Sequence, residues 1–304
     1  MSKEALEYLN CSAGGRYVDA TLGGGGHTQR ILEATKPDGQ VIAIDADDAA
    51  IDRVKKKLSS YEDRITLVRD NFRNIKEVLA ELNIDKVDGI LFDVGLSSDQ
   101  LDSTERGFSF SRSARLDMRM DRRLEVSAFE IVNQYGEEEL ASIFYRYGEE
   151  RRARAVARAI VAAREISPIE TTEALAGIVE GVLPKRRHGE KKSHPATKVF
   201  QALRIAVNDE LNSLEEAIRD GIELIASGGR MVVISFHSLE DKLVKGVFRE
   251  FATGCICPRD VALCACGRLP RVKLLFKRAL SAGAEEVLAN PRARSAKLRA
   301  IEVI

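Results

Sequence analysis

Four glycines in succession, Gly23 to Gly26, lie in the segment DATLGGGGHT (19–28), directly before His27 and a helical pattern. Glycines let the backbone approach a ligand closely, and the N–H groups at the helix start can then bind an anion or polar group. A strict G-x-G-x-x-G cannot be placed on the segment, because Thr21, Thr28 or Gln29 falls at a required glycine. A plain tight turn therefore stays open beside a nucleotide cradle. Further chemistry-bearing residues sit at the ends of apolar runs. Asp45 closes VIAID (41–45), RDNF (69–72) carries Phe72, and FDVGLSSDQL (92–101) carries Asp93. An acid placed like Asp45 suits ribose hydroxyls, and Phe72 suits either an adenine face or a core position. Asp93 is the acid expected to take part in a reaction, with capping of the following turn as the other role. ISFHSLED (234–241) sets His237 after another apolar run. There its imidazole could receive or relay a proton near neutral pH, or could be a structural histidine ahead of a Ser238 helix cap.

These residues need a scaffold that brings strand ends together. RYVDA (16–20), VIAID, ITLVR (65–69) and GILFD (89–93) alternate with helical patterns at Thr28–Ala34, Ala49–Leu58 and Ile75–Leu82. Alternation of this kind implies an α/β fold, a parallel sheet covered on both faces, with ligands bound beyond the carboxyl ends of its strands. From about Asp102 the strand rhythm stops and helical patterns run to Arg204. It returns with an amphipathic helix over Val207–Ala226, then RMVVISF (230–236), a helix over Leu239–Phe251, VKLLF (272–276) and LRAIEVI (298–304). The expected organisation is residues 1–101 and 206–304 as one domain, interrupted by a helical insertion at 102–205 large enough to hold its own core.

The chain has 304 residues and no net formal charge, but residues 1–100 carry −5 and the remainder +5. Basic residues cluster at Arg146–Arg164 and Lys185–Lys198, which suits either solvated helix faces or a surface for a polyanion. Neither a signal-like N-terminus nor an apolar run of about 20 residues is present, so a cytoplasmic protein without a membrane span is expected. Of 5 cysteines, Cys255, Cys257, Cys264 and Cys266 fall within one short segment. Four sulfurs can hold zinc, although C-x-C pairs are tighter than the usual C-x2-C spacing, and a reduced loop is the alternative.

Beyond these local signals, DATLGGGGHT, VIAIDADD, LDMRMD (116–121), YGEERRARAVARAI (147–160), HPATKVFQALRIAVNDEL (194–211), ISFHSLED and NPRARSAKLR (290–299) together resemble the MraW family of bacterial small-subunit ribosomal RNA methyltransferases. The resemblance spans nearly the whole chain. It implies a Rossmann-like class I fold that uses S-adenosylmethionine to methylate the N4 amino group of a cytidine in the decoding centre of 16S ribosomal RNA. Carried over by position, the cofactor contacts are Gly25, Gly26, His27, Asp45, Phe72, Asp93 and Gln100, and the helical insertion is implicated in RNA recognition.

Asp93 and His237 are the catalytic candidates. The turn Asp93-Val94-Gly95-Leu96 keeps the acid of amino-directed DNA methyltransferases but lacks their Pro-Pro-aromatic continuation. Asp93 or the Val94 carbonyl is expected to accept from N4, and a base-stacking aromatic must come from elsewhere, with Phe108, Phe110 and Phe236 as candidates. Arg151, Arg152, Arg154, Lys185, Arg186, Arg187, Lys191 and Lys192 of the insertion, with Arg292, Arg294 and Lys297 of the tail, are expected to hold RNA phosphates. The partner is then 16S ribosomal RNA or the small ribosomal subunit, with the oligomeric state open and a dimer among the options. Three other readings stay open: a DNA amino-methyltransferase, a nicotinamide-dependent oxidoreductase, and a non-catalytic RNA-binding assembly factor.

Overall fold

The structure is a computed structural model, described over residues 1–97, 100–101, 106–183, 194–257 and 266–304. Every strand read from the sequence is present, and period-two alternation sorts its side chains between two faces. Val18, Ile42, Ile90 and Phe92 enter one apolar layer, while Tyr17, Val41, Ala43 and Leu91 enter the other. The strands are β1 (Arg16–Asp19), β2 (Gln40–Asp45), β3 (Ile65–Arg69), β4 (Val87–Asp93), β5 (Ile225–Ser235), β6 (Val272–Leu274), β7 (Leu280–Ser281) and β8 (Lys297–Val303). The described residues form an 8-stranded sheet of order β3-β2-β1-β4-β5-β8-β6, with β7 paired to β8. β1 to β5 pair in parallel, and β8 runs antiparallel to β5, β6 and β7. The two-residue strand β7 has no counterpart among the sequence signals.

Helices cover both faces. α1 (Ser2–Leu9), α2 (Gly26–Ala34) and α3 (Asp48–Lys57) pack Leu9, Ile31 and Val54 on one layer. On the other, α4 (Ile75–Glu81) contributes Leu79, and the helices Glu210–Leu224 and Ser238–Ala252 contribute Ile218 and Phe248. A single helix over Val207–Ala226 is not what forms. One helix ends at Asn208, Asp209 turns into the left-handed region at φ 48°, and the next runs from Glu210 to Leu224. Apolar residues recur at helical spacing on both sides of the break, Leu203 and Val207 in one core and Leu214 and Ile218 in another, and so the sequence periodicity hides it.

The chain divides into an α/β unit, Met1–Gly95 with Leu211–Ile304, and a helical unit, Leu96–Glu210. The helical unit extends slightly beyond the expected 102–205 at both ends. It contains α5 (Ala128–Gln134), α6 (Glu137–Gly148), α7 (Ala153–Arg164), α8 (Thr172–Val182) and α9 (Thr197–Asn208), around a core that includes Phe144, Ile160, Leu175 and Leu203. No helix among the described residues is long and apolar enough to cross a membrane.

Candidate active site

The strand order reverses between β1 and β4, so the crevice beyond their carboxyl ends is where this topology binds ligands. The glycine turn lies at that point. Gly25 adopts φ 71°, and a Cβ there would stand 2.9 Å from Val54 Cγ1, so both conformation and space demand glycine. At Gly24 and Gly26 an added Cβ meets nothing within 4 Å, which leaves open room over the start of α2.

Three aspartates at strand ends organise the crevice. Asp19 is wholly buried at the end of β1. It accepts from Thr28 Oγ1 at 2.6 Å and from the Thr21 N–H at 3.2 Å. Thr21 Oγ1 in turn accepts from the Asp93 N–H at 2.6 Å. Burial raises the Asp19 carboxyl, against the opposing charge of His27. Asp19 is absent from the residues expected from sequence, although an acid that ends a strand and opens a glycine turn is a usable signal.

Asp45, at the end of β2, accepts from the Gly23 N–H at 2.8 Å through Oδ2 and from the Asp47 N–H at 2.9 Å through Oδ1. Burial lifts its carboxyl to about 6 despite these two donors. At the end of β4, Asp93 Oδ2 stands 3.4 Å from His27 Nε2. Burial alone lowers the imidazole, but the hydrogen bond and charge of Asp93, joined by Asp19, leave the His27 pKa raised. Asp93 Oδ1 is buried and has no hydrogen-bond partner among the described residues. A buried acceptor left unmatched costs about 1–3 kcal/mol, so its retention at a strand end points to a ligand.

The structure thus brings Gly25, Gly26, His27, Asp45 and Asp93 to the carboxyl ends of neighbouring strands. Phe72 sits just beyond β3, half-buried and edge-on to Phe92 at 6.0 Å. Gln100 belongs to the helical unit, where its Oε1 accepts from the Ser97 N–H at 3.0 Å and its own N–H donates to Ser97 Oγ at 3.2 Å.

His237 follows β5, but it is the helix cap itself, not a neighbour of a Ser238 cap. Its Nδ1 accepts from the Glu240 N–H at 3.4 Å, and its Nε2 faces Glu240 Oε1 at 3.0 Å. Imidazole nitrogen can fill the acceptor role that serine usually plays here, with Glu240 closing the reciprocal bond. Among the aromatic candidates, Phe108 is buried in the helical core. Phe110 stacks on His194 at 4.5 Å. Phe236 is half-buried in the α/β unit, 3.4 Å from where a Gly95 Cβ would stand.

Arg151, Arg152 and Arg154 are exposed at the start of α7, and Arg152 also donates to the Val182 carbonyl at 3.0 Å. Arg292 and Arg294 are exposed, while Lys297 is half-buried and donates to Ser281 Oγ at 2.7 Å. Lys185, Arg186, Arg187, Lys191, Lys192 and Cys264 lie outside the described residues.

A doubly wound parallel sheet with an antiparallel strand near one edge, a glycine turn after β1 and acids ending β1, β2 and β4 define a Rossmann-like methyltransferase. The model of the MraW methylase family matches residues 1–304. Ribosomal RNA small subunit methyltransferase H of Geobacter sulfurreducens is 53% identical to this chain, covering 99% of it and 97% of the relative. The proteins of that name from Geotalea uraniireducens and Carboxydothermus hydrogenoformans are 52% and 50% identical, covering 100% and 98% of this chain and 97% and 95% of their own. Among solved structures, an rRNA methylase from Streptococcus thermophilus aligns over 100% of this chain and 93% of its own at 11% identity, with a TM-score of 0.42.

The chain belongs to the MraW methylase family. Its methyl donor is S-adenosylmethionine. The residues present fit that cofactor. Open space over Gly24 and Gly26 accommodates a bulky ligand at the start of α2, and Asp45 presents a carboxylate at the position suited to ribose hydroxyls.

Proposed function

We propose that this chain methylates small-subunit ribosomal RNA, and that the acceptor is the N4 amino group of one cytidine in the decoding centre of 16S ribosomal RNA. The names of its relatives support the RNA class, and the buried, unpartnered Oδ1 of Asp93 is the observation that carries the amino chemistry. The N4 lone pair of cytosine is delocalised into the ring, so the nitrogen becomes nucleophilic only when its hydrogens meet acceptors that favour a pyramidal centre. Asp93 divides the work between its two oxygens. Oδ2 faces His27, whose pKa its hydrogen bond and charge raise. Oδ1 is left to accept an N4 hydrogen.

When bound, S-adenosylmethionine supplies an electrophilic sulfonium methyl. Bound beside Gly24 and Gly26, the cofactor would offer that methyl group to N4, and Asp93 Oδ1 would accept the proton that N4 gives up and pass it to solvent. Alignment of two bound reactants lowers a barrier by on the order of 7–11 kcal/mol, so the fixed strand ends do much of the catalysis. His237 is better suited to hold the start of Ser238–Ala252 than to take the proton, because both ring nitrogens face Glu240. Phe236, beside Gly95 after β4, is the aromatic best placed to stack on the base. A cytidine in folded RNA must be unstacked to reach such a crevice. Exposed arginines of the helical unit and of the tail then hold phosphates, with Lys185, Arg186, Arg187, Lys191 and Lys192 assigned the same role from sequence.

The test is transfer of labelled methyl to small ribosomal subunits from cells lacking this protein, followed by nucleoside analysis. N4-methylcytidine at one position is the expected product. No transfer to subunits or to their naked RNA, with cofactor binding intact, overturns the assignment of acceptor. Transfer to DNA in the same assay favours the DNA amino-methyltransferase reading.

A further inference from the structure

The three described cysteines of the segment following Ser238–Ala252 have no part in methyl transfer. We propose that Cys255, Cys257 and Cys266 form a zinc–thiolate site that ties together the connection between that helix and β6. Their sulfurs all lie within 4.8 Å of one another, and Sγ of Cys255 stands 3.8 Å from Sγ of Cys266. A tetrahedral zinc with Zn–S bonds of about 2.3 Å holds its sulfurs about 3.8 Å apart, whereas a disulfide needs about 2.05 Å. The spacing therefore matches shared coordination and not a covalent pair.

Apolar burial does not explain the gathering. Cys255 and Cys266 are exposed, and the nearby Ile256 and Leu269 are 60% and 77% exposed. The stems of the connection are closed by the Arg271 N–H donating to the Phe251 carbonyl at 2.9 Å and by Arg268 Nη2 donating to the Glu250 carbonyl at 2.6 Å. Beyond these stems, thiols from both sides of the connection converge. A metal cross-link is the common means of fixing so small an element. Gly267 follows Cys266 at φ 60° and turns the chain directly after the ligand.

All-sulfur donors select a soft or borderline ion such as zinc over magnesium or calcium. On binding, each thiol loses its proton and becomes a thiolate. The remaining coordination position is left to a water molecule or a further donor.

The experiment is elemental analysis of the full chain purified under reducing conditions without chelator. About one zinc per chain is expected, falling below a tenth of that in a Cys255→Ser/Cys257→Ser/Cys266→Ser variant and unchanged in Cys11→Ala. Should the triple variant fail to fold, modification of the wild-type thiols by a mercurial in the presence of a chromogenic zinc indicator must release the same amount of metal. A wild-type chain without zinc overturns the site, whether its thiols are free, disulfide-linked or bound to iron. So does zinc that survives in a folded triple variant.

Discussion

The helical unit and the strand ends of the α/β unit handle buried polarity in opposite ways. In the helical unit, Asn208 Oδ1 accepts from the Met120 N–H at 2.7 Å, and its Nδ2 donates to the Met118 and Arg204 carbonyls at 2.8 and 2.9 Å. Ser127 and Glu130 cap α5 reciprocally, and Asn133 bridges to both N–H and C=O of Ile169. Polar groups there are consumed in holding loops to helices. Around the glycine turn, by contrast, Asp45 and Asp19 are raised by burial, and Asp93 keeps one oxygen unmatched. An oxygen that no group of the described chain meets, such as Asp93 Oδ1, is the one a ligand can still engage. The contrast assigns chemistry to the strand ends and shape to the helical unit, whose remaining charge faces outward as arginine.

The sharpest way to break that division is Asp93→Ala. If the unmatched oxygen serves the reaction, turnover falls by about 10² to 10⁴, while thermal unfolding drops only by what the Oδ2–His27 pair contributes. Single-turnover methyl transfer beside a melting curve checks both halves. A variant with near-normal turnover removes Asp93 from the reaction and returns it to turn capping.

Asn208→Ala probes the other side. It strands the Met120 N–H and the Met118 carbonyl inside the helical unit, at a cost of about 2–4 kcal/mol. Urea unfolding reads this loss, and S-adenosylmethionine affinity should stay within about twofold if the polar network is purely structural. A large loss of cofactor affinity with little loss of stability reverses the contrast at this residue.

Asp45 gives a smaller, graded effect. Its folded carboxyl is raised to about 6, so burial of the charged form costs the fold some stability as pH rises through that value. If Asp45 holds the ribose, the ionised form is the one that accepts from its hydroxyls. Affinity for S-adenosylmethionine should therefore weaken as pH falls below about 6, by at most tenfold per unit. Calorimetric titration across that range measures it, and a flat profile removes Asp45 from the cofactor site.

Legibility follows the same contrast. The strands, the glycine turn, Asp45 and Asp93 stand out in the sequence because strand periodicity is local and an acid ending an apolar run is conspicuous. Asp19 ends an apolar run as Asp45 and Asp93 do, but its partners, Thr28 and Thr21, are ordinary residues, so its role appears only once the turn closes. LDMRMD and the end of the 194–211 segment are legible as motifs but not as a bond. Asn208 reaches Met118 and Met120 across 90 and 88 positions, and no periodicity encodes that distance. The break at Asp209 is hidden for a related reason: a left-handed residue leaves little trace in sequence pattern, and tertiary packing decides where the helix stops.

The smallest expected effect concerns the arginines that the helical unit turns outward. Arg151 and Arg154 are exposed, and Arg152 shares its guanidinium with the Val182 carbonyl. If they hold phosphates, replacing Arg151 and Arg154 with Gln should weaken RNA binding several-fold at low salt. The slope of log affinity against log salt should also fall by about 0.7 to 0.9 for each phosphate that is no longer neutralised. Arg152→Gln should show a smaller change in slope together with some loss of stability, because part of its donor capacity is spent within the unit. Filter binding of ribosomal RNA over a salt series separates these outcomes. An unchanged slope in the Arg151/Arg154 variant makes those side chains a solvated helix face, and moves the electrostatic attraction to Arg292, Arg294 and the basic residues between 185 and 192.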